Sequence, residues 1–206
     1  MNKNEIVFRE RIWRRLRSYL RPGMAVLDAG CGPGAMAEAL ARMGCQVTAV
    51  DLEPKPEWEE RSRLGIKFIQ ASAEALDFNA DTFDAVLVMD ALHHMENPEK
   101  GLAELARVAK PAAPILVVEG NRRNPLLFVR MTLIAGHQTF SRSRLRSMLR
   151  TVDPHFDYFM IETRCLPWSW SWLPAWQNWA SDLLERARFL DAWLTYQIGI
   201  LRPKKK

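Results

Sequence analysis

Cysteine is scarce in this 206-residue chain. The three cysteines, Cys31, Cys45 and Cys165, are odd in number and show no CxxC spacing. That argues against a disulfide framework or a thiolate zinc site, and no metal is expected. A reducing, cytoplasmic setting fits such usage. No run of about 20 apolar residues occurs, so no membrane-spanning helix is expected. Residues 1–21 lack the apolar core of a signal peptide. Neither charge sign dominates: the net charge is +5 and the pI about 9.3. Such a balance permits nucleic acid or a lipid surface as partner without requiring either. Internal repeats and low-complexity linkers are also missing. With 48% hydrophobic and 26% charged residues, the composition is that of one globular domain over residues 1–206, long enough to bury a full core.

What is present begins with a basic amphipathic segment. Ile12, Trp13, Leu16, Tyr19 and Leu20 recur at helical spacing among arginines, and Pro22-Gly23 ends the pattern. An N-terminal helix over residues 1–22 could lie on the core with its arginines in water, or meet a membrane surface or substrate. Strands are expected at 24–29, 46–50, 66–70, 83–89, 115–119, 156–162 and 194–201, and helices at 35–43, 98–110 and 142–150, the last capped by Ser141. Strands alternating with helices imply a parallel sheet covered on both faces. Residues 165–192 form a tryptophan-rich insertion, with a helix expected at 182–190. Six of the eight tryptophans fall between Trp168 and Trp193.

The densest chemical signal is "AVLDAGCGPGAMAEAL", residues 25–40. An apolar strand ends on Asp28, and Gly30, Gly32 and Gly34 then alternate with Cys31 and Pro33 before a helix. Bare backbone between a strand and a helix lets a ligand approach closely. Two cofactors use such a loop. A dinucleotide fits the G-x-G-x-x-G/A spacing through Gly30, Gly32 and Ala35, with Asp51 about 20 residues on. S-adenosylmethionine offers ribose and adenine without a pyrophosphate, and a cationic amino-acid end. Asp28 favours the second, because a carboxylate repels a pyrophosphate and attracts an ammonium. A nicotinamide enzyme would also be expected to show a Tyr-x-x-x-Lys pair, and none is visible.

"VLDAGCGPG", "VTAVDLEP", "FIQASAEALDF" and "FDAVLVMDALHHMENPEKGLAELARVAKP" resemble the successive motifs of the class I S-adenosylmethionine-dependent methyltransferases, in particular the type 11 group. "TFSRSRLRSML" and "YQIGILRPK" are similar to its later helix and last antiparallel strand. The resemblance implies an α/β, Rossmann-like three-layer sandwich with a seven-stranded, mostly parallel sheet and one antiparallel strand. It implies a cofactor cradle of Asp28, Gly30, Cys31, Gly32 and Gly34, with the Cys31 side chain a small packing group. Asp51 would hold both ribose hydroxyls and Leu52 would lie on adenine. Ala73 would offer its N–H to the ring, and Met89 would line the methionine end. Ser72 stands where the family usually has an acid, and "KPAAP" replaces its usual Gly-Gly turn.

Methyl transfer from a sulfonium is an in-line displacement, and an oxygen or nitrogen acceptor can also need a base. His93 and His94 follow the fourth strand and are the catalytic candidates, with Asp90, Glu119 and His137 behind them. Either histidine could instead cap or pack the next helix. The tryptophans suit a small apolar or lipid-like acceptor, with peripheral membrane contact, or equally a plain core or a dimer contact. Nucleic acid is disfavoured, because residues 89–92 lack the acidic or Asn, double-proline and aromatic pattern of base methylation. The rivals are an NAD(P)-dependent oxidoreductase and a catalytically inactive binding module on the same fold.

Overall fold

A computed structural model describes residues 12–124, 128, 129, 133, 136, 139–161 and 194–203. Seven strands form one sheet: β1 (Ala25–Ala29), β2 (Gln46–Asp51), β3 (Lys67–Gln70), β4 (Ala85–Met89), β5 (Ile115–Gly120), β6 (Asp157–Ile161) and β7 (Tyr196–Leu201). Their spatial order is β3-β2-β1-β4-β5-β7-β6. All pairs are parallel except those of β7, which runs antiparallel to both neighbours. The mostly parallel, seven-stranded Rossmann-like sandwich expected from the sequence is the one observed.

Period-two alternation sends successive strand side chains to opposite faces, and each face has its own core. On one, Leu27, Val86, Val88 and Val117 meet Leu102 and Leu105 of α4 (Pro98–Val108) and Leu145, Met148 and Leu149 of α5 (Arg142–Val152). On the other, Val26, Leu87, Leu116 and Ile198 meet Ile12 and Leu16 of α1 (residues 12–16) and Met36 and Leu40 of α2 (Ala35–Arg42). Ile12 and Leu16 are fully buried while Arg14, Arg15 and Arg17 are exposed. From residue 12 on, the amphipathic segment therefore spends its apolar face on the core.

Local chemistry sets the element ends. Asn97 caps α4 by accepting from the Lys100 N–H (3.0 Å), with Pro98 at the first helical position. Ser141 caps α5 through the Arg144 N–H, as its sequence position implied. Helix α4 stops at Val108, short of the expected 110, because Ala109 turns extended and Phe83 pairs with it. Strand β4 opens at Ala85 rather than 83, because the Asp84 carboxylate accepts from the Ala25 N–H (2.9 Å) and pairs with Lys110. The "KPAAP" turn keeps a left-handed residue, Ala112 at φ 60°, where a glycine would carry no Cβ strain. Helix α3 (Glu57–Ser62) was not expected, because "EWEERS" has no apolar stripe.

Among the described residues no helix is long and apolar enough to cross a membrane. The insertion at 165–192, its expected helix, His137 and Cys165 lie outside the described residues.

Strand order reverses at β1. The chain leaves β1 toward β2 on one side and returns to β4 on the other, so a crevice opens above the carboxyl ends of these strands.

Candidate cofactor and active site

The glycine loop fills the near wall of that crevice, which encloses about 400 Å³. Gly30, Gly32 and Gly34 all have positive φ, at 71°, 51° and 86°. A Cβ on Gly30 would stand 2.3 Å from the Ala91 Cβ, and one on Gly34 would strike the Phe68 ring at 2.7 Å. A Cβ on Gly32 would meet nothing within 4 Å. Two glycines therefore serve close packing, and the third lines open space where a ligand can approach.

The loop spends its own donors. The Gly30 and Cys31 N–H groups both donate to the Val50 carbonyl (2.8 and 3.0 Å), and the Gly34 N–H donates to the Cys31 carbonyl (2.8 Å). The Gly32 N–H donates to Asp51 Oδ2 at 2.7 Å. Phosphate-binding loops work by aiming such N–H groups at the anion. Here every N–H from Gly30 to Gly34 is committed to the protein, Pro33 having none.

Asp51 ends β2 on the crevice floor, and its other oxygen accepts from the Glu53 N–H. Leu52 follows, 62% exposed at the mouth, with its carbonyl held by the Gln70 side chain (3.0 Å). Ser72 and Ala73 line the same end, and the Ser72 hydroxyl accepts from the Glu74 N–H. Opposite lie Asp90, Ala91, His94 and Met95. The 3-10 turn Leu92–His94 separates the two histidines: His94 lines the crevice, while the His93 side chain is 1% exposed behind it. His93 Nδ1 lies 2.7 Å from Glu119 Oε2, and Glu119 Oε1 accepts from the Leu92 N–H. Burial of the ring favours neutral imidazole. The hydrogen bond and charge of Glu119, with the charge of Asp90, outweigh it, and the His93 pKa lies above the ordinary histidine value. A ring that holds its proton is a poor base. Asp90, His93 and Glu119 bring ligand-type atoms within 4.8 Å of one another; hydrogen bonds from His93, the Leu92 N–H and Tyr196 account for this cluster.

Residues 27–117 match a family model described as a methyltransferase domain. Over these residues the chain is similar to that domain. A ubiquinone biosynthesis O-methyltransferase of Methylocella silvestris is 46% identical over 78 residues, covering 35% of this chain and 30% of that protein. A demethylmenaquinone methyltransferase of Renibacterium salmoninarum is 38% identical over 113 residues, covering 53% and 48%. The chain thus spans less than half the length of these relatives. A Burkholderia thailandensis 1,6-didemethyltoxoflavin-N1-methyltransferase, solved with its substrate and S-adenosylhomocysteine, superposes with a TM-score of 0.66 at 22% identity over 98% of this chain and 80% of that one. At that identity the likeness shows the fold.

The structure brings Gly30, Gly32, Asp51, Leu52, Ser72, Ala73 and His94 onto one crevice. Asp28, Cys31, Gly34, Met89 and His93 stand behind its wall. Asp28 is 2% exposed, on the Val26 face of β1. Met89 packs against the core under α2, and Met95 takes the lining position. Burial first, then the charges of Asp28 and Asp51, push the Cys31 thiol well above its ordinary pKa, which suits a packing group and not a nucleophile.

Helix α3 supplies loop-holding residues that sequence periodicity did not reveal. Trp58 Nε1 donates to the Gly32 carbonyl (2.8 Å), and its ring stacks on Phe68 at 4.9 Å, beneath Gly34. Arg61 donates to the Pro33 carbonyl and pairs with Glu38 of α2 (2.9 Å). Only the pair of prolines at 54 and 56 and a lone tryptophan among acids hinted at this clasp. Trp58→Phe keeps the stack and loses one hydrogen bond, worth about 1 kcal/mol. S-adenosylhomocysteine binding is expected to weaken roughly fivefold by calorimetry; an unchanged affinity would remove Trp58 from the site.

Proposed function

We propose that the chain transfers the methyl group of S-adenosylmethionine to a small, apolar, quinone-like acceptor. The observation that carries this is the loop whose N–H donors are all committed to Val50, Cys31 and Asp51. A diphosphate would find no loop N–H to bind, and the carboxylates of Asp51, Glu53, Glu74 and Asp90 outnumber the one lysine, Lys55, on the crevice wall. A nucleoside with a cationic amino-acid end suits that charge. The donor set therefore fits S-adenosylmethionine, whose sulfonium supplies the electrophilic methyl. Asp51 would hold the ribose, Leu52 would cover the adenine face and Ser72 and Ala73 would meet its edge. His94, on the crevice side, would take the proton that an acceptor hydroxyl loses. His93 would hold the turn through Glu119. The ubiquinone and menaquinone relatives support a ring acceptor with an apolar tail. The exposed arginines of α1 leave a basic face that could rest on an anionic lipid surface holding such a molecule.

The test is calorimetry with S-adenosylhomocysteine and with NADH, followed by transfer of a labelled methyl group to a short-chain prenylated catechol. Binding of the first ligand and labelled product are expected, with turnover slowed in His94→Gln. Binding of NADH alone would favour the oxidoreductase. Binding of neither would leave a binding module.

A further inference from the structure

Glu74 follows Ser72 and Ala73 on the crevice wall, and its N–H donates to the Ser72 hydroxyl at 3.2 Å. Its carboxylate reaches the segment that follows His94 and Met95. Oε1 accepts from the Glu96 N–H at 2.9 Å, and Oε2 accepts from the Asn97 N–H at 3.2 Å. Those donors lie between the 3-10 turn Leu92–His94 and α4, outside either element. The His94 and Met95 N–H groups close within the turn, on the Ala91 and Leu92 carbonyls (3.1 and 3.2 Å). Glu74 therefore ties the exit of that turn to the loop carrying Ser72. Gly101 of α4 secures the same exit. It is buried, and a Cβ there would strike the Met95 sulfur and touch the Glu74 Cγ at 3.7 Å. Both side chains lie over the helix backbone where glycine leaves room.

A carboxylate with each oxygen on a backbone N–H makes two charge-assisted bonds and is fixed in direction. Here such a brace joins two walls of one cavity. Under the methyl-donor assignment, Ser72 and Ala73 meet adenine and His94 takes the acceptor proton. We infer that Glu74 is a positioning residue: it sets His94 against the acceptor, and does so more firmly once a nucleoside orders Ser72 and Ala73. This rests on the methyl-donor assignment above. A carboxylate that only stabilised the fold would do so equally with the crevice empty or filled.

Glu74→Gln keeps the size and one acceptor oxygen, but turns an NH2 group against the second N–H. The first readout needs no acceptor. The His94 imidazole C2–H resonance, assigned by its absence in His94→Gln, is followed as adenosine is added. Adenosine should move it in wild type, and the movement at saturation should shrink about threefold in Glu74→Gln, as a lost coupling between sites requires. Asn97→Ala removes the α4 cap and neither bond to Glu74, so it should lose stability and keep the movement. No movement in wild type, a full-sized one in Glu74→Gln, or an equal loss in Asn97→Ala overturns the inference. The second readout is methyl transfer to the short-chain prenylated catechol. Glu74→Gln should lower kcat about tenfold and leave the KM for S-adenosylmethionine within about twofold. In the His94→Gln background it should add less than about twofold, because residues that act through one group are not additive. Equal losses in both backgrounds would make Glu74 purely structural and overturn its assignment. Wild-type protein that binds neither adenosine nor S-adenosylhomocysteine sinks the methyl-donor assignment, and this inference with it. Wild-type binding of both, with His94 indifferent to Glu74→Gln, sinks only the role of Glu74.

Discussion

Asp51→Ala is expected to weaken S-adenosylhomocysteine binding by about 1–3 kcal/mol, the range for lost hydrogen bonds to a charged group, or roughly five- to 150-fold. The carboxylate has two jobs at once. One oxygen holds the Gly32 N–H at 2.7 Å and the other the Glu53 N–H. Each oxygen keeps a further lone-pair direction, enough for the two ribose hydroxyls. Alanine would remove the proposed ribose contacts and would also strand the Gly32 N–H, so the loop would loosen beside the crevice. Asp51→Asn keeps an oxygen for Gly32 and should fall between wild type and alanine. Calorimetry on the three proteins decides it; an unchanged dissociation constant in Asp51→Ala would place the nucleoside elsewhere.

The second large effect concerns stability. Glu119 is fully buried and accepts from both His93 and the Leu92 N–H. Removing one partner of a buried ion pair leaves the other charge uncompensated, at a cost of about 3–5 kcal/mol. Glu119→Ala should lose stability of that order in urea unfolding. The pH dependence has a definite sign. The folded His93 pKa is raised, because the hydrogen bond and charge of Glu119, with Asp90, outweigh burial. Stability from the pair is therefore fully present below the ordinary histidine value of 6.5 and is lost as pH rises through the higher folded value. The gap between wild type and Glu119→Ala should be widest near pH 6 and narrow toward pH 9. A gap that widens with pH would show that His93 is not held as an imidazolium.

All seven strands and four of the five described helices were legible because each carries its own periodic or continuous apolar run. Helix α3 was not, since its six residues gain their place by contacts with Gly32, Pro33 and Phe68 and not by burying a stripe of their own. The two histidines illustrate the same limit. Adjacent in sequence and equal in chemistry, they are separated by a 3-10 turn that sends one to the crevice and the other onto Glu119, 26 residues away.

By itself, then, the sequence determined the layered sheet, the glycine loop at its switch point and the paired acids that speak for a cationic nucleoside, because these depend on local pattern and on spacing along one chain. Only the tertiary structure decided which carboxylates reach the crevice wall. Asp28 lies one residue before the end of β1 and Asp90 one residue past the end of β4, but the pleat buries Asp28 on the Val26 face, while a left-handed turn bonded to Tyr196 leaves Asp90 at the crevice wall. That choice is made by the pleat and by a contact from the far end of the chain, and neither is written in the residues next to it.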